Sequence, residues 1–206
     1  MLKILKDIKI ADYFTFLNLI SGFLAIYFLF LSNIRISVIL LYVAVIMDGV
    51  DGIVAENFEK SLLGKNLDSL ADIVSFGVYP ALLVSKIALV SVFISSFYLL
   101  AGIIRLARFN VMEREDFIGC PITVPALIIA SATYLYFDAL LINISTLLLS
   151  FLMISDVSYP KIKRKEYMIL AGLIILLAML FKILVYLIIL GSLVYVIYPF
   201  LEKFKK

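Results

Sequence analysis

Apolar blocks recur along the 206-residue chain at about Tyr13–Leu31, Ile36–Ala55, Leu70–Ile87, Ala88–Leu106, Ile122–Phe137, Ala139–Ile154, Tyr167–Phe181 and Ile183–Phe200. Most run to about 15–20 residues, short to normal for crossing ~30 Å of hydrocarbon at 1.5 Å per residue. In lipid the backbone must satisfy its own hydrogen bonds, and unbroken apolar blocks do so as helices. The expected fold class is therefore an all-α polytopic membrane protein, a bundle of about eight transmembrane helices. Six is the alternative count, because only Lys182 separates the last two blocks. With 65% hydrophobic and 16% charged residues, a soluble globular domain is excluded. The first block is long enough to stay as a span rather than be removed as a leader. No sustained repeat or low-complexity linker interrupts the pattern, so residues 1–206 read as a single transmembrane domain.

The charges give this bundle an orientation. Alternating the sides gathers the N-terminus, the 56–67 loop, the 107–121 segment, the 155–166 loop and the C-terminus together. Of 18 lysines and arginines, only Arg35, Lys86 and Lys182 fall on the opposite side. An excess of Lys and Arg marks cytoplasmic loops, so both termini are expected in the cytoplasm. Met1–Asp12, with Lys3, Lys6 and Lys9 among Ile and Leu, reads either as a short helix on the anionic leaflet or as a basic leader that sets orientation.

The sequence has no histidine and one cysteine, Cys120. That excludes Ser-His-Asp triads, His-ligated metals and intrachain disulfides. Acid–base chemistry must come from carboxylates, Lys, Tyr or the lone thiol. Asp48 lies about 10 Å inside the end of the second apolar block, at 1.5 Å per residue. A carboxylate at that depth costs several kcal/mol unless paired or coordinated. Asp51 follows three positions on, and Asp68 and Asp72 are spaced i, i+4 on the next helix, so each pair shares a helix face. A hairpin of these two helices points four carboxylates at one another. Hard divalent cations, Mg²⁺ or Mn²⁺, are the natural partners for such a cluster, and they suggest a phosphate-bearing substrate. Gly49, Gly52 and Gly64 frame it and would permit close packing or close approach of a diphosphate. The plain alternative, a buried Asp–Lys network, has no Lys or Arg between Asp48 and Glu59 to build it.

The run Asp48-x2-Asp51-Gly52-x2-Ala55-Glu56-x7-Gly64-x3-Asp68-x3-Asp72 resembles the signature D-x2-D-G-x2-A-R…G-x3-D-x3-D of the CDP-alcohol phosphotransferase family. Seven of its eight fixed positions match; Glu56 stands where the pattern has Arg. Placing an anion beside a diphosphate site is expected to weaken substrate or metal binding. Further stretches resemble the membrane phosphatidylserine synthases of that family. These are Thr15-x2-Asn18-x2-Ser21-Gly22, Arg105-Leu106-Ala107-Arg108-Phe109-Asn110, Phe117-Ile118-Gly119-Cys120-Pro121, and Met153-Ile154-Ser155 through Lys163. The resemblance covers roughly residues 13–163; the last two helices, 167–200, carry no motif.

The resemblance implies transfer of a phosphatidyl group from CDP-diacylglycerol, or an ether-lipid equivalent, to the hydroxyl of serine, with release of CMP. It implies that Asp48, Asp51, Asp68 and Asp72 hold one or two Mg²⁺ or Mn²⁺ ions, with Asp72 also serving as general base. It implies a CDP site at Thr15, Asn18, Asp48, Asp51, Gly52, Ala55, Gly64 and Asp68, and a homodimer; nothing suggests a nucleic-acid partner. Thr15 and Asn18 would either hydrogen-bond the nucleotide or bond across helices. Arg105, Arg108 and Asn110 are the candidate acceptor-binding residues. The two arginines suit a serine carboxylate or a phosphate, and the alternative is a pair of membrane anchors. Rival readings are phosphatidylglycerophosphate or inositol-phosphate synthesis, an intramembrane prenyltransferase, and a divalent-cation transporter.

Overall fold

The computed structural model describes residues 7–57, 61–87, 91–112, 116–162 and 164–203. The proposed interfacial stretch falls mostly on residues 1–6, and those and the Glu56 side chain lie outside the described residues. The elements are α1 (Ile10–Phe30), α2 (Ile34–Asn57), α3 (Gly64–Asp72), a π-helical segment (Ile73–Val78), α4 (Tyr79–Ser85), α5 (Ser91–Val111) and β1 (Phe117–Ile118). They continue with α6 (Thr123–Tyr134), α7 (Ala139–Ile154), β2 (Ser158–Tyr159), α8 (Lys165–Leu180), a 3₁₀ turn (Lys182–Leu184) and α9 (Val185–Lys203). With α3, the π segment and α4 forming one rod, the described residues form eight helical rods, an all-α membrane architecture. Five of them are long and apolar enough to cross a membrane: Ile10–Phe30, Ile34–Ala55, Gly64–Ser85, Ser91–Val111 and Lys182–Glu202.

Two rods differ from their apolar blocks. The third begins at Gly64, six residues before the block, which keeps Asp68 and Asp72 together on one helix as their spacing implies. The block at Ile122–Phe137 yields only the 12-residue α6, roughly 18 Å long and too short to cross alone. It does not need to: Pro125 to Ala132 are all buried, so α6 is a core helix wedged among its neighbours.

The bundle is inverted relative to a water-soluble one. Phe23, Phe30, Phe93, Leu140, Ile169 and Leu180 face outward, while Asn18, Ser37, Ser75, Ser131, Thr146 and Ser150 are buried. With little hydrophobic drive between helices in lipid, small and polar residues hold the rods together. Tyr42 and Ser131 hydroxyls join α2 to α6 at 2.8 Å. The Ser37 hydroxyl bonds the Ala25 carbonyl at 2.8 Å and the Tyr79 hydroxyl at 2.9 Å, joining three rods. At Gly22 an added Cβ would collide with the Cα and side chain of Ser75, so only glycine lets α1 approach the π segment this closely. Gly49 and Gly52 differ: nothing lies within 4 Å of an added Cβ. They therefore leave open space beside the acidic cluster rather than pack helices.

Polar contacts sort the connecting segments to two ends. At one end Lys65 Nζ donates to the Asn110 carbonyl (2.8 Å), Arg108 donates to the Ile154 and Ser155 carbonyls (both 3.0 Å), and β1 pairs antiparallel with β2. At the other, Lys86 Nζ donates to the Leu29 carbonyl (2.7 Å), and Lys182 lies over the Tyr134 and Tyr136 rings.

Candidate metal and acceptor site

Three of the four expected carboxylates converge. Asp48 from α2 and Asp68 and Asp72 from α3 place one oxygen each within 4.8 Å of one another. Asp51 sits on the same face but is engaged elsewhere: the Thr15 hydroxyl donates to it at 2.9 Å, and it lies within electrostatic reach of Asp68 and Asp12. Asn18 Nδ2 donates to Asp72 Oδ1 at 3.1 Å, and the Asn18 backbone carbonyl accepts from the Ser75 hydroxyl at 3.0 Å, so α1 holds both the Asp72 carboxylate and the turn that follows it. Of the two alternatives for Thr15 and Asn18, the structure contains the bond across helices. Asn18 Oδ1 is buried without a hydrogen-bond partner.

A cation fits this triad. Asp68 Oδ1 is buried without a hydrogen-bond partner. A buried, unpaired carboxylate oxygen is unfavourable, and its presence among two further carboxylates is the donor set that a hard divalent ion takes. Thr123, the first residue of α6, hydrogen-bonds Asp48. No sequence motif pointed to Thr123; its position depends on the α5–α6 turn.

The helical rod changes character immediately after Asp72. Ile73–Val78 is π-helical, one residue wider per turn than an α-helix, and such insertions occur often at functional sites. Pro80 explains part of it. It has no N–H for the carbonyl of Phe76 four residues earlier, and the Tyr98 hydroxyl donates to that carbonyl instead at 2.7 Å.

The two arginines of the Arg105–Arg108 segment part ways. Arg105 is 5% exposed and shares a buried stripe of α5 with Tyr98, Ala101 and Gly102. Its guanidinium lies 5.4 Å from the Phe109 ring centroid and 5.2 Å from that of Phe117, with Asp72 and Asp48 within electrostatic reach. Arg108 instead caps the C-terminus of α7 through its two carbonyl bonds and reaches the exposed Asp156 at 3.4 Å. Asn110 is also engaged: its carbonyl accepts from Lys65, and its Oδ1 from Ser69 at 3.1 Å. Arg105 and Arg108 both line a small cavity with Phe109, Met112, Phe117 and Ile118.

Gly119 shapes the turn after β1. Its φ is +80°, and an added Cβ would strike the Met153 carbonyl, so the turn into Cys120 admits only glycine. The turn is held by Gly119 N–H to Val157 O (2.8 Å) and Cys120 N–H to Leu152 O (3.0 Å). Burial pushes the Cys120 thiol up to about 12, which removes it as an acid or base near neutrality.

A family model for CDP-alcohol phosphatidyltransferases matches residues 8–155, which include Asp48, Asp51, Asp68 and Asp72 and both arginines. The chain belongs to this family. A CDP-diacylglycerol–serine O-phosphatidyltransferase of Methanocaldococcus jannaschii is 42% identical over 173 residues, covering 81% of this chain and 81% of its own. An archaetidylserine synthase of Methanothermobacter thermautotrophicus is 36% identical over 171 residues, 78% of this chain and 73% of its own. A CDP-diacylglycerol–serine O-phosphatidyltransferase of Bacillus subtilis is 33% identical over 155 residues, 71% of this chain and 87% of its own. The apolar helices together with this family membership make the chain an integral membrane protein.

Proposed function

We propose that the chain is a phosphatidylserine-type synthase that transfers the phosphatidyl group of a CDP-linked lipid to the hydroxyl of L-serine and releases CMP. The observation that carries the reading is a buried arginine, Arg105, beside a carboxylate triad, in a chain whose relatives are named for serine as the acceptor. The lipid tail, ester or ether, follows the relatives, which carry both names.

In this reading Asp48, Asp68 and Asp72 hold Mg²⁺ or Mn²⁺, with Asp51 available to a second ion. A metal held there would supply positive charge for the diphosphate and the departing CMP. Arg105 binds the serine carboxylate with its fork of donors while the Phe109 and Phe117 faces fix its plane. Asp72, oriented by Asn18, takes the serine hydroxyl proton as that oxygen attacks the lipid-side phosphorus and the bond to CMP breaks. Thr123 orients Asp48, and Thr15 orients Asp51. Gly52, where an added Cβ would meet nothing within 4 Å, leaves room for the nucleotide, whereas Gly64 packs against Asp12 and Ser61. The basic end of the bundle faces the cytoplasm, and the assembly is a homodimer. A synthase for phosphorylated acceptors is the second reading, since Arg105 would grip a phosphate as well as a carboxylate.

The test is CMP release by purified protein with a CDP-lipid, Mg²⁺ or Mn²⁺, and serine, glycerol 3-phosphate or inositol phosphate in parallel. Release with serine alone supports the reading. Release only with a phosphorylated acceptor favours the second, and none with any of the three overturns both.

A further inference from the structure

Helices α8 and α9, which lie beyond the family-matched residues, enclose a groove of about 530 Å³ with the segment that follows β2. Lys161 and Arg164 stand at its rim, and Tyr167, Gly191, Val194 and Tyr198 line the rest; no carboxylate does. Gly191 is exposed, and an atom added as Cβ there would meet nothing within 4 Å, so the space beside it is open. Tyr167, Val194 and Tyr198 are 56%, 59% and 45% exposed, and the groove therefore opens sideways onto the apolar outer surface.

The rim is held in place by aromatic faces. Arg164 lies 5.9 Å from the Tyr167 ring centroid, and Lys161 lies 5.3 Å from that of Phe117. The inner wall is Tyr195, whose hydroxyl donates to the Pro160 carbonyl at 3.0 Å and whose ring stacks on Tyr159 at 5.6 Å. Two cations above an apolar trough, with tyrosines between, match a lipid that carries a net negative headgroup on a hydrocarbon chain. A zwitterionic headgroup would bring a cation of its own against Lys161 and Arg164.

We propose that this groove binds one anionic phospholipid of the surrounding bilayer. Its phosphate lies between Lys161 and Arg164, and one chain runs along Tyr167, Gly191, Val194 and Tyr198. The site is separate from the triad on α2 and α3, and occupying it requires no turnover.

Native mass spectrometry of the purified full chain in neutral detergent tests this, with dioleoyl phosphatidylglycerol and dioleoyl phosphatidylcholine added in equal amounts. One retained phosphatidylglycerol per chain is expected, with little phosphatidylcholine. Arg164→Gln is expected to weaken retention about tenfold, the effect of one charged hydrogen bond. Gly191→Trp is expected to abolish it by filling the open space beside that residue, and both variants should keep the parent's CMP release in neutral detergent. Equal retention of the two lipids overturns the proposal, as does an adduct that survives both substitutions. Excess CDP-dioleoylglycerol should bind alongside the phosphatidylglycerol; displacement would make the groove a substrate subsite and likewise overturn the proposal.

Discussion

Arg105 and Arg108 are three residues apart on α5 and chemically identical, yet their surroundings assign them different work. Consider each replaced by lysine, which keeps the charge and removes the planar fork. At Arg105 the lysine still faces Asp72 and Asp48 and still rests near two aromatic rings, so the fold should survive. What it loses is the second parallel contact to a carboxylate. One hydrogen bond to a charged group contributes about 1.5–3 kcal/mol, which at 1.4 kcal/mol per decade lowers kcat/KM for serine roughly 10- to 150-fold. At Arg108 the lysine loses one of two carbonyl caps on α7, about 1–2 kcal/mol. For a chain of this size that lowers the melting temperature by roughly 2–8 °C, with KM for serine within about twofold of the parent. The assay is CMP release against serine concentration, repeated with ethanolamine, which lacks the carboxylate. The Arg105 variant should narrow the preference for serine over ethanolamine; the Arg108 variant should leave it intact. If Arg105→Lys leaves that ratio unchanged, or Arg108→Lys shifts it equally, the division of labour is wrong.

Four other outcomes are expected. Asp72→Asn should lower turnover by about 10²–10⁴-fold, the usual contribution of a positioned general base, while Mn²⁺ still binds by electron paramagnetic resonance; near-normal turnover would remove Asp72 as the base. Gly119→Ala should cost ~1–2 kcal/mol from its positive φ alone, and more from the collision with the Met153 carbonyl, seen as a lower melting temperature. Cys120, with its thiol pushed up to about 12, should alkylate at least ~100-fold more slowly at pH 8 in the folded protein than after denaturation. Glu56→Arg, which puts the cation of the family pattern at this position, should raise activity or substrate affinity, and unchanged kinetics would show that this position does not sense the diphosphate.

The acidic cluster was legible because its spacing is local: i, i+3 on one helix and i, i+4 on the next fix the faces before any packing is known. The helical bundle was legible for the same reason, since apolar block length tracks span length. What could not be read depends on contacts between distant segments. Asn18 and Thr123 reach Asp72 and Asp48 from 54 and 75 positions away in the chain, and nothing in a helical period encodes that. Arg108 looked equivalent to Arg105 until the end of α7 arrived beside it. The apolar block at Ile122–Phe137 looked like a span because a helix buried in protein and one bathed in lipid share a composition. Tyr195, in the helices without a motif, gained meaning only when α9 set it near Arg105.

The π segment after Asp72 has a consequence for how the third rod can vary. A wide turn takes up one residue more than an α-turn while leaving the helix on either side in nearly the same rotation. The segment therefore lets the rod hold an extra residue next to Asp72 and still bury Tyr79, Leu83 and Val84. The same length change within α3 or α4, with no such turn to absorb it, would rotate everything beyond by about 100°. Tyr79 and the residues after it would then swing off the neighbours they bury against. Length changes in this rod should therefore be confined to Ile73–Val78, and the awkward turn is what keeps the two halves of one helix in phase.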